Sequence, residues 1–320
     1  MTLVEGQHPP LGAFFNATPF PWLGGKTALA PRIIPYFPPH ALYVEPFGGA
    51  ANVLLNKKPA KVEVYNDAAS LLVNFFRVLR DDEQKAELMR KLECTLYARE
   101  EYALALELLE DDDPVMRAWA FFVAQCQGIS GAGSMDGNTA VNWGYSRVSD
   151  RPRIFADHVD KLHAIAHRFR QVQVEHDDGV TVIQRWDSPD ALFYVDPPYV
   201  DETRSDKSGR ARYRDEMGDG GHKSLVDVLL NLQGGAVLSG YRSDHYQPLE
   251  AQGWERIQFT VRADSVARVR GHDIAGTKKD RERVECLWLS PSVAAWHRRG
   301  TLFGCLLDAP ADTPQGATTC

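Results

Sequence analysis

The clearest potential for chemistry in this chain lies in the stretch Asp196-Pro197-Pro198-Tyr199, which follows the apolar run 192–195. The apolar run predicts a buried strand. Neither proline can donate a hydrogen bond to a sheet, and each pushes the preceding residue toward extended geometry, so the backbone leaves the sheet in one fixed shape. A carboxylate, a free carbonyl and an aromatic face are thus presented where open α/β sheets bind ligands, at the carboxyl end of a strand.

Such a turn suits an exocyclic amine such as adenine N6, which is a poor nucleophile because its lone pair is delocalised into the ring. If Asp196 accepts one N–H and the Pro197 carbonyl accepts the other, the nitrogen is held pyramidal, and Asp196 can help to carry the released proton. Tyr199 offers a stacking face worth roughly 1 to 3 kcal/mol per base. A sulfonium methyl in line at about 3 Å then needs mainly orientation and no metal.

A candidate cofactor site lies earlier in the chain. Residues 41–45 predict the first strand, which runs into the glycine turn 46–52 and then a helix. This order is the first unit of a doubly wound sheet, in which glycines let the backbone approach a cofactor. The next predicted strand, 62–65, is followed by Asp67, which is placed to accept hydrogen bonds from ribose hydroxyls. Simpler alternatives remain for both features. In these the glycines only form a tight turn that needs small residues, and Asp67 only caps the following helix.

A second glycine-rich segment, Phe20 to Thr27, precedes a predicted helix at 28–36. Its Gly-Lys-Thr resembles part of a P-loop, but a P-loop needs a glycine where Phe20 stands and a strand before it, so nucleotide hydrolysis is disfavoured. The double glycine and Lys26 at a helix start still suit an anionic group that approaches backbone amides.

The composition is that of an ordinary globular protein, with 320 residues and a net charge of -7. The start of the sequence lacks the blocks of a signal peptide and no apolar run reaches membrane length, so a cytoplasmic enzyme is expected. Five scattered cysteines predict neither a disulfide framework nor a zinc site, and no metal is expected.

The predicted strands divide the chain into segments. Residues 19–80 and 171–290 are expected to form one catalytic domain, with further strands at 171–175, 236–239, 256–261 and 284–289. Residues 81–170 are helical by apolar spacing and read as an inserted subdomain. Residues 1–18 are expected to be loosely held, and 291–320 to be a frayed tail.

Basic residues gather in three loops, at 128–151, 201–221 and between the last two strands. They suit phosphate contact, although surface tethering is an equal alternative for the first loop. The candidate DNA-binding residues are Arg147, Arg151, Arg204, Lys207, Arg210, Arg212, Arg270, Lys278 and Lys279.

Four motifs occur together in one order: Trp22-Leu23-Gly24-Gly25-Lys26, Glu45-Pro46-Phe47-Gly48-Gly49, Asn66-Asp67 and Asp196-Pro197-Pro198-Tyr199. In this order they resemble the Dam-like (D12 class) adenine-specific DNA methyltransferases, especially phage and prophage members. The stretches 237–241 and 285–288 are similar to later strands of that family. The resemblance covers about residues 18 to 290.

The resemblance implies a Rossmann-like seven-stranded α/β sheet with a reversed final hairpin, S-adenosylmethionine as methyl donor and double-stranded DNA as partner. By position, Trp22 and Lys26 would flank the methionine part of the donor and Asp67 would hold its ribose. Asp178 would lie near its adenine, with Asp177 as a rival. The residues that would line the donor are Glu45, Pro46, Phe47, Gly48, Gly49 and Ala50. The target adenine would have to leave the duplex to reach Asp196.

Two departures from the family pattern stand out. Ala51 occupies the last position of the usual Phe-x-Gly-x-Gly, and the insert does not match the residues that read GATC in other members, so the GATC target sequence is not carried over to this chain.

The alternative functions are a cytosine-N4 methyltransferase and a catalytically silent DNA-binding protein with this fold. Methylation of RNA or of a protein amide is less expected, because those enzymes carry Asn at the position of Asp196. The biological role, whether restriction-modification, regulation or phage protection, is left open.

Overall fold

The computed structural model of the protein describes residues 17–22, 24–129, 143–198, 217–262 and 282–307. Within these ranges no helix is long and apolar enough to cross a membrane. Several predicted features lie outside the described residues. They are Tyr199, most of the loop 201–221, the middle of the loop 128–151 and the loop between the last two strands.

One seven-stranded sheet organises the described residues. Its strands are β1 (Leu42–Glu45), β2 (Val62–Asn66), β3 (Gln173–Glu175), β4 (Ala191–Val195), β5 (Gly235–Gly240), β6 (Glu255–Arg262) and β7 (Glu282–Leu289). Their spatial order is β3-β2-β1-β4-β5-β7-β6. β1 to β5 pair in parallel, whereas β7 is antiparallel to both β5 and β6. This is an open α/β sheet with a reversed final hairpin.

Helices cover both faces of the sheet. They are α1 (Ala30–Ile33) with a 3₁₀ turn at Ile34–Tyr36, α2 (Asn52–Asn56), α3 (Ser70–Arg80), α4 (Asp82–Glu93), α5 (Arg99–Glu107), α6 (Pro114–Gln127), α7 (Arg151–Phe169), α8 (Gly179–Trp186), α9 (Asp219–Leu230), a 3₁₀ turn at Asp244–Tyr246, α10 (Gln247–Ala251) and α11 (Pro291–Leu307). Two buried clusters result, one under α1 to α7 and α11 and one under α8 to α10.

The alternation of side chains along the central strands assigns them to these two clusters. In β4, Leu192 and Tyr194 belong to the first cluster, and Phe193 and Val195 to the second. A strand buried on both faces reads as a continuous apolar run, because parallel sheets carry helices on both sides. The run before Asp196 therefore marks the centre of the sheet, and the Asp-Pro-Pro turn lies at its carboxyl edge.

The helical segment 81–170 contributes to the same buried cluster as the sheet. Leu88, Phe122 and Phe155 pack in one apolar core with Tyr65 of β2 and Tyr194 of β4. Phe75 of α3 stacks on Phe122 with ring centroids 5.9 Å apart. The segment thus shares its core with the catalytic sheet, and the domain boundaries given above remain a prediction.

Most predicted elements occur within a few residues of their expected bounds, but the C-terminal segment differs. It was expected to fray from position 291, whereas α11 runs over Pro291–Leu307 and buries Val293 and Ala294. Proline suits the first position of a helix, which explains why the helix starts there. Ala17, in the segment expected to be loose, is also held, because its backbone exchanges hydrogen bonds with the side chain of Asn56.

Candidate active site

An ion pair joins two motifs that are far apart in the sequence. Lys26 Nζ lies 2.7 Å from Asp196 Oδ2, and the side chains are 4% and 17% exposed. Lys26 Nζ also donates to the Gly24 carbonyl at 3.0 Å. Lys26 lies just before α1 and Asp196 just after β4. The glycine-rich segment 20–27, called the entry segment below, therefore lies against the Asp-Pro-Pro turn at the sheet edge.

Asp196 has a second carboxylate oxygen that takes no part in this ion pair. Asp196 Oδ1 is buried and has no hydrogen-bond partner among the described residues. Burial raises the pKa of Asp196 to about 6, against the opposing effect of the Lys26 ammonium. For Lys26, burial is the largest single influence and would lower the pKa, but the surrounding negative groups, Asp196 foremost, together outweigh it and raise the pKa. At neutral pH the pair is therefore ionised.

A cavity of about 670 Å³ opens beside this pair. That volume is within the range of small-molecule sites, roughly 300 to 1,000 Å³. The cavity is lined by four groups of residues: the entry segment, the glycine turn, the ends of β2 and β3, and the Asp-Pro-Pro turn with the start of α9. Predicted residues among its lining are Trp22, Lys26, Glu45, Phe47, Gly48, Gly49, Ala50, Asp67, Asp178, Asp196, Pro197 and Pro198.

Of the predicted catalytic and cofactor residues that the structure describes, Pro46 does not line the cavity, and neither does Asp177, the rival of Asp178. Pro46 holds the turn from behind, since its carbonyl accepts a hydrogen bond from Asn66 Nδ2 at 2.8 Å. Tyr199 lies outside the described residues, so its stacking role stays a prediction.

The glycine turn is packed so tightly that side chains are excluded from it. Gly49 has a φ of +50°, and a Cβ there would lie 2.7 Å from Trp22 Nε1. A Cβ on Gly48 would lie 2.2 Å from the ring of Tyr65. Ala51 also adopts the left-handed region, with φ 55°. The departure from the family pattern at Ala51 therefore costs backbone strain, and the methyl group is fully buried.

The acidic residues after β2 and β3 separate into different roles. Both oxygens of Asp67 accept backbone N–H groups, from Gly49 at 2.8 Å and from Ala69 at 2.9 Å. Asp178 lines the cavity and caps α8 by accepting from Thr181 N. Asp177 is turned away, with its carboxylate 2.6 Å from Arg185. β3 ends before both, at Glu175, and Asp178 is the N-cap of α8.

Glu45 is a buried acid that lines the cavity. It is 1% exposed and accepts a hydrogen bond from the Tyr43 hydroxyl at 2.6 Å. Burial raises the pKa of Glu45 to about 8, although the Tyr43 hydroxyl and Lys57 oppose the shift. At neutral pH Glu45 is therefore mainly protonated and adds no charge to the cavity.

Two of the candidate DNA-binding residues lie in the described part of the chain. Arg147 is exposed and follows Tyr145, which is 69% exposed. Arg151 is half-buried at the start of α7. The segment that carries Arg147 is fixed, because Gly144 N donates to the Gln127 carbonyl at 2.8 Å and Arg99 stacks on Trp143. The other seven candidates lie outside the described residues.

Sequence reasoning missed several residues around the site. Asn52, the last residue of the glycine turn, lines the cavity, and its Oδ1 is buried without a partner among the described residues. Tyr194 lines it two positions before Asp196, as the alternation of β4 would have suggested. His222 is fully buried in α9 and lies 3.2 Å from the Tyr246 hydroxyl. Glu285 is buried in β7, and its Oε2 has no described partner.

The reversed final hairpin, the glycine turn and the cavity at the carboxyl edge together define a Rossmann-like methyltransferase. The family model of the D12 class N6 adenine-specific DNA methyltransferases matches residues 22–237. The match covers more than half of the chain, so the protein belongs to this family and is an enzyme that methylates adenine N6 in DNA. No individual protein of curated function matches it.

Proposed function

We propose that the enzyme transfers the methyl group of S-adenosylmethionine to an adenine turned out of duplex DNA, with Asp196 and the Pro197 carbonyl holding the target amine. The observation that carries this proposal is Asp196 Oδ1, a buried acceptor with no described partner at the wall of the cavity. A buried, unpaired carboxylate oxygen is costly, so a ligand that donates a hydrogen bond there is favoured.

The residues present fit the donor. Gly49 packs directly against Trp22, since any side chain at Gly49 would meet the indole, and both residues line the cavity. Asn52 Oδ1 is an acceptor without a partner among the described residues, and the carboxylate of Asp67 lines the cavity, where a carboxylate can accept hydrogen bonds from hydroxyl groups. When bound, S-adenosylmethionine supplies an electrophilic methyl group on a sulfonium.

The charge of the cavity also suits a cationic donor. Asp67, Asp178 and Asp196 place three carboxylates along it, and Lys26 places one ammonium. The protonated Glu45 leaves this balance unchanged at neutral pH. The described lining is therefore net negative, and a partly buried lining of that charge attracts cations and would stabilise the positive charge that develops on the attacked amine.

Asp196 then performs two tasks. Its Oδ1 accepts one N–H of the amine while the Pro197 carbonyl accepts the other, which keeps the nitrogen lone pair directed at the methyl group. After transfer, the carboxylate can take up the proton that the amine loses. Because the cavity lies at the sheet edge beside a partly buried carboxylate, the adenine would reach it only after leaving the base stack.

The test combines methyl transfer with donor binding in Asp196→Asn and Asp196→Ala. Loss of a positioned proton acceptor typically costs 10²- to 10⁴-fold in rate, so we expect transfer to fall by about that factor. Affinity for S-adenosylhomocysteine, measured by calorimetry, should change little. Asp178→Asn is the matched control, because it removes a cavity carboxylate away from the amine and should affect donor KM more than kcat. Methylation of DNA by Asp196→Asn at the wild-type rate would overturn the proposal.

Expression of the enzyme in cells would identify the DNA sequence that it methylates. Methylation-sensitive sequencing of the host DNA should show N6-methyladenine in one short sequence context. N4-methylcytosine in its place would support a cytosine enzyme, and unmethylated DNA beside soluble, donor-binding protein would support a silent DNA-binding protein.

A further inference from the structure

Asn66, the last residue of β2, is a fully buried amide that joins two turns of the chain. Its Nδ2 donates to the Pro46 carbonyl at 2.8 Å and to the Asp177 carbonyl at 3.0 Å. Its Oδ1 accepts from the Asp177 backbone N–H at 2.9 Å. The side chain therefore holds the glycine turn after β1 and the turn 176–178 after β3 at the same time.

The backbone ladder of the sheet does not make this connection. The pairing of β1 with β2 extends only to Glu45, and that of β2 with β3 only to Glu175. The carbonyl of Pro46 and both backbone groups of Asp177 lie beyond these strand ends. A carboxamide carries the same N–H donor and C=O acceptor as a peptide group, so the Asn66 side chain takes the place of a strand partner for Asp177. An ionised carboxylate in its place would present only acceptors to two carbonyl oxygens.

The two turns that Asn66 joins lead into adjoining walls of the cavity. Phe47 lines the cavity from the glycine turn, and Asp178 and Gly179 line it from the second turn and the start of α8. These walls touch, because a Cβ on Gly179 would lie 2.4 Å from the ring of Phe47. Asp67, the residue after Asn66, also lines the cavity. Three cavity-lining segments thus meet at one buried amide.

Other contacts hold the second turn from outside. Asp177 pairs with Arg185 at 2.6 Å, and His176 Nε2 lies 3.1 Å from the Ala68 carbonyl. Both contacts are exposed, and exposed pairs contribute little because water screens them. The hydrogen bonds of Asn66 contribute more, because a buried backbone group that loses its partner cannot turn to water.

We propose that Asn66 is a positioning residue for the methyl donor: its amide fixes the spacing between the glycine turn and the turn 176–178. At that spacing Phe47, Asp67 and Asp178 hold the nucleoside part of S-adenosylmethionine. All three hydrogen bonds of the Asn66 side chain go to these two turns and none to the Asp-Pro-Pro turn, so the transfer step itself does not depend on it. This inference rests on the proposed function, because it needs the donor in this cavity.

The test compares Asn66→Ala with Asn74→Ala. Asn74 is also a buried asparagine, whose Nδ2 donates to the Pro114 carbonyl at 2.9 Å and whose Oδ1 accepts from Arg117. It joins α3 to the start of α6 and does not line the cavity. The two variants remove the same kind of buried amide, so we expect similar losses of thermal stability.

Donor binding should separate the two variants. We expect the dissociation constant of S-adenosylhomocysteine, measured by calorimetry, to rise about 10- to 100-fold in Asn66→Ala, the factor that one unpaired buried hydrogen-bonding group costs. Asn74→Ala should leave it unchanged. For both variants kcat at saturating donor should change little, because a loss of binding shared by ground state and transition state raises KM alone.

A ligand fragment reports which part of the donor is affected. 5′-Methylthioadenosine keeps the nucleoside and lacks the amino-acid part, so Asn66→Ala should weaken its binding as much as that of S-adenosylhomocysteine. A milder variant, Asn66→Ser, keeps a hydroxyl group that can donate and accept. It should show the same losses to a smaller degree, even if Asn66→Ala folds poorly.

Several results would overturn the inference. They are an unchanged dissociation constant in the folded Asn66 variants, an equal rise in Asn74→Ala, a loss confined to S-adenosylhomocysteine, and a fall of kcat at saturating donor without loss of affinity. If the Asn66 variants bind the donor normally while Asp196→Asn is inactive, the proposed function stands without this inference. Failure of the wild-type protein to bind S-adenosylhomocysteine would contradict the proposed function itself.

Discussion

Lys26 Nζ lies 2.7 Å from Asp196 Oδ2, so the cation of the entry segment holds the carboxylate of the Asp-Pro-Pro turn. Only one carboxylate oxygen is taken by this contact, and the other, Oδ1, has no described partner. The pair thus fixes the direction of Asp196 while leaving an acceptor for the target amine. Burial raises the pKa of Asp196 and the Lys26 charge lowers it, so we expect the pair to influence how methyl transfer depends on pH.

We expect methyl transfer to fall as the pH drops through about 6, where Asp196 takes up a proton. A protonated Asp196 no longer accepts the proton of the amine, so kcat/KM should follow the fraction of ionised carboxylate. The ammonium of Lys26 lowers the pKa of Asp196, and Lys26→Met should therefore move the acid limb to higher pH. Initial rates measured from pH 5 to 9 check this.

Lys85→Met is the control for Lys26→Met, because it removes an ammonium from a surface pair with Asp82. Its acid limb should coincide with that of the wild type. A Lys26→Met profile shifted to lower pH would contradict the electrostatic role assigned to the pair.

Gly49→Ala should weaken donor binding at moderate cost to stability. The added Cβ would lie 2.7 Å from Trp22 Nε1, and the φ of +50° disfavours any side chain. We expect S-adenosylhomocysteine affinity to fall at least about tenfold, which corresponds to roughly 1.4 kcal/mol. Calorimetry and thermal unfolding measure the two effects separately.

Gly253→Ala is matched to this variant in strain but not in crowding. Its φ is +88°, and the nearest heavy atom to a Cβ would be Pro291 Cγ at 4.0 Å. It should lose stability and keep donor affinity. Equal loss of affinity in both variants would show that the glycine turn acts only through the overall fold.

The order of these motifs and the strand that carries each could be predicted from the sequence, because parallel strands buried on both faces read as apolar runs. The pairing of Lys26 with Asp196 could not, since it depends on how α1 and the entry segment pack over the sheet edge. Glu285 was recognised only as part of a strand. Its face follows from the register of β7 against β5, which is a property of the sheet and is not encoded in the local pattern of the strand.

Ala51→Gly should change stability less than Ala50→Gly, although both methyl groups are buried. Ala51 has a φ of 55°, a conformation that costs an L-residue about 1 to 2 kcal/mol and costs glycine little. Relief of this strain offsets the buried methyl, worth about 0.8 kcal/mol. Ala50 has no positive φ, so its variant only loses the methyl group and gains chain entropy when unfolded. Urea unfolding should separate the two variants by about 1 kcal/mol, and an equal loss would argue against strain at Ala51.

Arg147→Ala should weaken DNA binding more at low salt than at high salt. Arg147 is exposed beside Tyr145 on a segment fixed at Gly144, and a cation in that position can neutralise one phosphate. Each such contact contributes about one unit to the slope of log affinity against log salt concentration, so we expect the variant to lower that slope by about 1. Fluorescence anisotropy between 50 and 300 mM salt, about the range over which phosphate contacts weaken, gives the slope. Arg298→Ala is the control. It removes a surface arginine whose Nη1 lies 2.8 Å from Glu255, and it should leave the salt slope unchanged. Identical slopes for wild type and Arg147→Ala would place the DNA elsewhere, since a phosphate contact cannot be lost without a change in released counterions.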